Sequence, residues 1–322
     1  MLYGILGGVL WALETVTIGC ALATAPFISN EKAIFLAPFV STFLHDLCSS
    51  VWACIFNGVR GNLKNVWHAL AKTKSGRYVV LGAAIGGPVG MTGYVMAVHY
   101  MGASVGAVAS AIYPAVGAVL AFIFLKEKMQ WYRWVLLLIT LGGVYGLSYS
   151  PNIDTTHFAL GITGALMCSF GWGCEAVILA KSLKSPEVKD EYALQIRQTT
   201  SALIYAAVIL PVIKGWGFTV ELFTSHSFRP LAIIALAALF ATASYLFYYR
   251  AISKIGPSKA MALNVSYSAW AIVFTVVILH DTSVLSPVTI VCSLIVIICG
   301  ILSAADYKKL FQKKNGENYE QV

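Results

Sequence analysis

The sequence predicts an all-α membrane protein in which ten transmembrane helices form two inverted five-helix repeats. Three observations support this prediction: the composition, the placement of basic residues between long apolar runs, and an internal repeat. Of the 322 residues, 58% are hydrophobic and only 11% are charged. Soluble domains carry about 25% charged residues, so this chain has too few to cover a surface that faces water. A lipid bilayer is therefore the expected surrounding of the fold.

Ten apolar runs are long enough to cross the bilayer, which requires about 20 residues at a rise of 1.5 Å per residue. The segments between these runs are short, so the sequence predicts no extramembrane domain. The expected spans are residues 2–25, 33–57, 78–99, 103–125, 131–149, 158–181, 191–213, 230–253, 258–280 and 284–306.

Lys and Arg are distributed unevenly between the two sides of the predicted bundle. If the N-terminus is cytoplasmic, 18 of the 22 Lys and Arg residues lie in inside segments, and Lys32, Lys214 and Arg229 lie outside. Basic residues are enriched in the cytoplasmic loops of membrane proteins, so both termini are expected in the cytoplasm. The basic residues form no cluster of the kind that binds nucleic acid, and no such partner is expected.

An internal repeat relates two segments at a constant offset of 154 residues. Residues 97–127 align with residues 251–281, and Tyr113 then matches Tyr267. With five spans per repeat, the second repeat crosses the membrane in the opposite sense. In proteins built this way, the binding site lies near the midplane between the repeats. The expected units are a first repeat at residues 1–150, a second at 151–306 and a cytoplasmic polar tail at 307–322.

Five ionisable residues fall within the expected spans: Glu14, His45, Asp46, Glu175 and Arg197. A charged side chain costs about 2.5–3.5 kcal/mol at the centre of the bilayer, so such residues are candidates for function. Glu175, then Asp46, and also His45 are the candidates for proton coupling, with structural hydrogen bonding as the alternative for the latter two. His45 and Asp46 are adjacent and are not expected to share one helix face. Arg197 is expected to pair with a carboxylate or to extend toward the inner membrane surface.

A short motif, Trp-x-x-Glu, occurs near the start of each predicted repeat. It is formed by Trp11 and Glu14 in the first repeat and by Trp172 and Glu175 in the second. Residues three apart lie on one helix face, so each carboxylate is expected beside an indole ring. The combination of a negative charge and a π face suits an organic cation. The alternative is that each Glu pairs with Arg197 or caps a broken helix.

Further aromatic residues lie near the middle of the predicted spans. The eighth span contains Tyr245 and Tyr249, and the ninth contains Asn264, Tyr267 and Trp270. On one continuous helix the last three residues fall within an arc of about 120°, which faces them toward one cavity. Together with the two Trp residues of the repeated motif and Tyr113, they are expected to form an aromatic cage. The alternative is an interfacial belt of Tyr and Trp.

An aromatic cage suits a quaternary ammonium ion, which has no N–H group to donate. Such a cation binds against ring faces within about 6 Å, with an energy of up to about 2 kcal/mol when it is desolvated. Asn264 or a Tyr hydroxyl is expected to bind the hydroxyl of a choline-like ligand.

Metal, cofactor and enzyme sites are not predicted. The seven Cys residues lie in apolar runs without metal-ligand spacing, and we expect them to be reduced. The chain has no GxSxG or HExxH signature, so an intramembrane enzyme is disfavoured.

The pattern of spans and motifs resembles the EamA-like drug/metabolite transporter superfamily, and within it the bacterial LicB-type choline permeases. The resembling stretches cover nearly the whole chain up to about residue 306. They are Gly-Pro-Val-Gly-Met (87–91), Ser-Ala-Ile-Tyr-Pro-Ala (110–115), Leu-Ala-Phe-Ile-Phe-Leu-Lys (120–126), Trp-Gly-Cys-Glu-Ala-Val (172–177), Ile-Arg-Gln-Thr-Thr-Ser (196–201) and Ala-Leu-Asn-Val-Ser-Tyr (262–267).

This resemblance implies a bacterial inner-membrane importer of choline that works by alternating access, coupled to protons. The expected partners are a choline-like cation, protons and the lipid bilayer, with a homodimer as one possible assembly. The alternative is an exporter of amino acids or other small metabolites. Of the expected site, the resemblance covers Trp11, Trp172, Glu175, Asn264, Tyr267 and Trp270, whereas Glu14 depends only on the Trp-x-x-Glu motif.

Overall fold

The computed structural model of the protein describes residues 1–102, 105–106, 110–147, 157–224 and 228–305, and the predicted tail at 307–322 lies outside them. The described secondary structure is helical throughout. The helices are α1 (Leu2–Leu22), α2 (Glu31–Val59), α3 (Leu63–Lys72), α4 (Lys74–Ile85), α5 (Thr92–Met101), α6 (Tyr113–Leu125), α7 (Trp131–Leu147), α8 (Phe158–Ser182), α9 (Asp190–Ile204), α10 (Leu210–Val212), α11 (Trp216–Thr224), α12 (Phe228–Ile255), α13 (Pro257–Asn264), α14 (Tyr267–Leu279) and α15 (Pro287–Ala304).

Within the described residues, seven helical segments are long and apolar enough to cross a membrane. An eighth is added if the segments Asp190–Val212 and Trp216–Thr224, which are bent by 109° relative to each other, count as one broken span. The two remaining predicted spans fall on α6 and α7, which have 13 and 17 residues. Both of these predicted spans extend into residues that the structure does not describe.

The predicted loop at 58–77 contains the short helix α3. Apolar residues recur on one side of this helix, and Val66 and Ala69 are buried while Trp67 is 67% exposed. An amphipathic helix of 10 residues is too short to span a bilayer. The search for long apolar runs therefore missed α3, because such a search detects only segments that are apolar on all sides.

The core forms where helices from the two predicted repeats pack together. Helix α1 makes its most extensive contact with α12, and α5 packs against α8. A Cβ added at Gly93 would lie 2.4 Å from the carbonyl oxygen of Gly164, so these two helices approach as closely as glycine allows. Small residues at helix contacts are typical of membrane bundles, where close packing replaces the hydrophobic effect.

Two helical spans contain a π-helical segment, at Gly86–Met91 and at Tyr205–Ile209. The first includes Pro88, which has no N–H to donate and so disrupts the regular α-helical hydrogen bonds. The two segments meet: the Tyr205 hydroxyl contacts the Thr92 hydroxyl and donates to the Gly87 carbonyl at 3.4 Å. The third predicted span is therefore interrupted by a π-helical segment and is not one continuous α-helix.

The two repeated segments share one backbone pattern. Gly102 and Gly256 both have a positive φ, 80° and 84° respectively. Helices α6 and α14 begin at Tyr113 and Tyr267 and end before a left-handed residue. All these pairs are separated by the offset of 154 residues found in the sequence. The left-handed residues are Lys126 and His280, each with φ 54°.

Candidate functional site

A cavity with about 380 Å³ of empty space lies between α1, α6, α8, α12 and α13. Seven of the ten predicted binding residues line it: Trp11, Tyr113, Trp172, Glu175, Tyr245, Tyr249 and Asn264. The other lining residues are Ala176, Leu179, Ser244 and Tyr248.

Aromatic rings form most of the cavity wall. The ring centroid of Trp11 lies 5.2 Å from that of Trp172 and 5.0 Å from that of Tyr245, both edge-to-face. Tyr113 lies edge-to-face with Trp172 at 5.7 Å. These rings come from four different helices, and each is at most 8% exposed. Edge-to-face packing fixes the rings in place and lets several of them face the same space.

Four polar atoms of the lining residues have no hydrogen-bond partner among the described residues: Trp11 Nε1, Trp172 Nε1, the Tyr245 hydroxyl and Asn264 Oδ1. The Asn264 side chain is oriented by its amide nitrogen, which donates to the Tyr113 hydroxyl at 2.9 Å. Buried polar groups usually have partners. The cavity therefore offers unmet hydrogen-bonding capacity beside the ring faces.

Glu175 lines the cavity but is already paired. Its Oε1 accepts hydrogen bonds from Arg197 Nε at 3.0 Å and from the Tyr249 hydroxyl at 3.2 Å. The Arg197 guanidinium also lies over the ring of Tyr245, with Cζ 4.9 Å from the ring centroid. The expected pairing of Arg197 with a carboxylate is confirmed. Arg197, which does not itself line the cavity, is thus a cation held by a ring and an acid of the cavity wall.

The pairing of Arg197 extends into a buried network of ionisable groups. Its NH1 lies 3.4 Å from Asp46 Oδ2, and His45 Nδ1 lies 3.0 Å from Asp46 Oδ1. His45 Nε2 in turn lies 3.6 Å from Glu14 Oε1. His45 and Asp46, which as adjacent residues were not expected to share one helix face, nevertheless contact each other and join one network.

Three predicted binding residues do not line the cavity. Glu14 is fully buried beside His45, and Tyr267 is fully buried with its ring centroid 6.3 Å from that of Tyr94. Trp270 is partly buried and packs against the core. The predicted arc assumed one continuous helix, whereas α13 ends at Asn264 and α14 begins at Tyr267. Val265 and Ser266 lie outside both helices, and of the three predicted residues only Asn264 lines the cavity.

The sequence prediction missed Tyr94 and gave no role to Tyr248. Tyr94 is fully buried behind the cavity wall, with its ring centroid 4.9 Å from that of Trp172 and 5.6 Å from that of Trp11. Its position, just after the Gly- and Pro-rich interruption of the third span, was the available signal. Tyr248 lines the cavity beside Tyr249, and the spacing of Ser244 and Tyr248 by one helical turn indicated that face.

A bundle of apolar helices around a buried aromatic and polar cavity defines a multi-pass membrane transporter. Residues 1–149 match the model of the EamA-like transporter family. Over 309 residues the chain is 26% identical to Protein LicB of Haemophilus influenzae (strain ATCC 51907 / DSM 11121 / KW20 / Rd), covering 95% of this chain and 97% of that protein. The protein is thus a membrane transporter that is similar to the EamA-like family over residues 1–149, as the resemblance of its sequence motifs predicted.

The fold is also found in a solved crystal structure of a protein whose description names no function. The two chains superpose with a TM-score of 0.60 at 15% sequence identity, over 94% of this chain and 97% of the other. This likeness concerns the fold alone.

Proposed function

We propose that the protein imports choline, or a closely related quaternary ammonium ion, by alternating access around the aromatic cavity. The observation that carries the proposal is the convergence of Trp11, Trp172 and Tyr245 with centroid separations of 5.0–5.2 Å. A methylated cation binds ring faces without donating hydrogen bonds. The resemblance to Protein LicB supports the same assignment.

The charge state of the cavity wall favours a quaternary over a protonated amine. Glu175, the carboxylate of the wall, is engaged by Arg197 and by the Tyr249 hydroxyl. A primary amine would need acceptors for its N–H groups, and a buried N–H without one costs about 1–3 kcal/mol. A trimethylammonium group has no such requirement. The unpartnered Asn264 Oδ1 is the acceptor that we assign to the choline hydroxyl.

The transport cycle that we infer rests on ten spans in two inverted repeats, residues 1–150 and 151–306, in the bacterial inner membrane with both termini in the cytoplasm. The shared backbone pattern at the offset of 154 residues supports the repeat. Both repeats contribute to the cavity: Trp11 and Tyr113 come from the first, and Trp172 and Tyr245 from the second. Rocking of one repeat against the other would open the cavity to each side in turn.

Proton coupling is the second part of the proposal. The buried network contains three carboxylates, Glu14, Asp46 and Glu175, but one guanidinium, with His45 between the first two. An excess of acids in a membrane interior marks a place where protons are exchanged. The membrane potential alone favours cation uptake by about 2.3 kcal/mol per 100 mV, a gradient of about 50-fold. Coupling to protons would increase the accumulation further.

Uptake of labelled choline into proteoliposomes tests the proposal. We expect uptake that increases with an inside-negative potential and is competed by unlabelled choline but not by aromatic amino acids. An acidification of the lumen that accompanies uptake would support coupling. If choline neither binds nor is transported, while an amino acid shifts the melting temperature, the alternative function of metabolite export replaces this one.

A further inference from the structure

A second cavity, of about 290 Å³, lies apart from the aromatic cavity, where α6, α7, α13 and α15 meet. One part of its wall is apolar and includes Pro114, Ala118 and Leu137. The other part carries two basic side chains, Arg133 and Lys259. The cavity wall therefore combines basic and apolar side chains.

Both basic residues lie in the first turn of a helix, Arg133 in α7 and Lys259 in α13. The N-terminus of a helix carries a partial positive charge, which adds to the charge of the side chains. Ser303, in the last turn of α15, also lines the cavity. Since three helices end here, this part of the bundle lies at a membrane–water interface, as the 77% exposure of Trp131 also indicates.

The Arg133 side chain does not use all of its hydrogen-bond donors in this arrangement. Its NH2 donates to the Ala305 carbonyl at 3.4 Å, but its Nε is buried and has no hydrogen-bond partner among the described residues. None of the ion pairs found in the described part of the chain involves Arg133. An arginine with a buried free donor at an interface provides a binding point for an anion.

The neighbouring carboxylate, that of Glu127, is not the anion bound by Arg133. Glu127 accepts a hydrogen bond from the Ser258 hydroxyl at 2.9 Å and lies at the start of α13, beside Gly256. Glu127 thus binds Ser258, and Arg133 Nε is left without a hydrogen-bond partner in the described part of the chain.

We propose that this cavity binds the phosphate group of an anionic phospholipid. Arg133 and Lys259 hold the phosphate, and the apolar wall receives the first part of an acyl chain. Basic pockets between transmembrane helices are suited to anionic headgroups, and guanidinium groups bind phosphate through paired hydrogen bonds. The lipid would contact α6 and α7 together with α13 and α15, and so join segments that lie far apart in the sequence. Its binding does not depend on which solute the protein transports.

Native mass spectrometry and thermal unfolding of the purified full-length protein test this site. The probes are dioleoyl phosphatidylglycerol, dioleoyl phosphatidylcholine and inorganic phosphate. We expect the wild-type protein to retain phosphatidylglycerol and to melt at a higher temperature with it than with phosphatidylcholine. Arg133→Gln is expected to bind phosphatidylglycerol about tenfold more weakly, as loss of one charge-assisted hydrogen bond implies.

Two further variants make the test specific. Arg77→Gln removes an exposed arginine from the first turn of α4, outside the cavity, and is expected to bind the lipid like the wild type. Lys259→Gln is the second cavity variant, and it is used if Arg133→Gln does not fold. Equal retention of both lipids, or equal binding by wild type and cavity variants, overturns the proposal. Equal stabilisation by inorganic phosphate overturns the lipid assignment.

Discussion

At the scale of single residues, the site depends on side chains that are expensive to place in a membrane. The Arg197 guanidinium is 1% exposed and contacts Glu175, Asp46 and the ring of Tyr245. Such a group is tolerated only because its charge is balanced by carboxylates, to which its Nε and NH1 donate hydrogen bonds. The pairing also explains how the Arg197 cation can lie beside the cavity without giving it a net positive charge.

We predict that Trp172→Ala weakens choline binding by about two- to thirtyfold, while Trp172→Phe loses less, because a ring face contributes about 0.5–2 kcal/mol to the binding of a cation. The dissociation constant from titration calorimetry checks this. Trp131→Ala is the matched control, since Trp131 is 77% exposed and lies outside the cavity. Equal affinities for wild type and Trp172→Ala would remove Trp172 from the proposed site.

Arg197→Met is expected to destabilise the protein by about 3–5 kcal/mol, because it leaves the buried Glu175 and Asp46 carboxylates without their cation. The double variant Arg197→Met/Glu175→Gln should recover part of this loss, since one unpaired charge is then removed. Unfolding midpoints of the two variants, compared with Glu175→Gln alone, measure the coupling. Additive effects of the two substitutions would contradict a direct interaction.

At the scale of elements, the π-helical segment Gly86–Met91 shapes the wall of the cavity. A Cβ added at Gly90 would lie 2.6 Å from Trp172 Cδ1, and one added at Gly86 would lie 1.9 Å from Glu175 Oε2. These glycines allow the third span to approach the Trp-x-x-Glu motif of α8. The segment therefore sets the positions of a ring and an acid that it does not itself supply.

We predict that Gly90→Ala reduces choline affinity by displacing the Trp172 indole, with a smaller effect on folding than on binding. Affinity and melting temperature are measured for the same preparations. Gly142→Ala is the control, because an added Cβ there would have no atom within 4 Å. A Gly90→Ala variant that binds choline like Gly142→Ala would show that the indole has room to adjust.

The sequence predicted the positions of the helical spans well, but it did not predict where a span is divided into two helices. Run length placed seven spans on helices that are long and apolar enough to cross a membrane. It did not reveal that α13 and α14 are separate, because Val265 and Ser266 carry no strong breaking signal, and so Trp270 was assigned to the cavity. The proximity of Tyr94 to Trp172 was also not predictable, since it depends on how two distant spans pack.

At the scale of the whole molecule, the cavity lies between segments that are far apart in the sequence. The Ser244 hydroxyl of α12 donates to the Gly7 carbonyl of α1 at 2.7 Å, across 237 positions. The buried Asp46 of α2 likewise reaches Arg197 of α9. Such contacts place the binding site at the seam between the proposed repeats, where relative motion of the repeats changes access.

The proposed orientation can be tested with single cysteines. Glu187→Cys, between α8 and α9, is expected to react with a membrane-impermeant maleimide only in permeabilised cells. Ser283→Cys, between α14 and α15, should react in intact cells. The wild-type chain, which has seven native Cys residues, provides the background. The reverse pattern would invert the orientation, and labelling of both sites from one side would contradict the ten-span count.

The close contact of α1 with α12 also constrains biosynthesis. Since α1 is synthesised more than 200 residues before its main partner α12, the glycine-lined face of α1 must wait in lipid until α12 and α13 have been inserted. Gly4, Gly7 and Gly8 have no side chain that could pack against an incorrect neighbour during this interval. In the folded protein, Gly4 lies close to Leu263, Gly7 to Asn264 and Gly8 to Ser266. The packing of the glycine-lined face of α1 is thus completed only when the last third of the chain has been made.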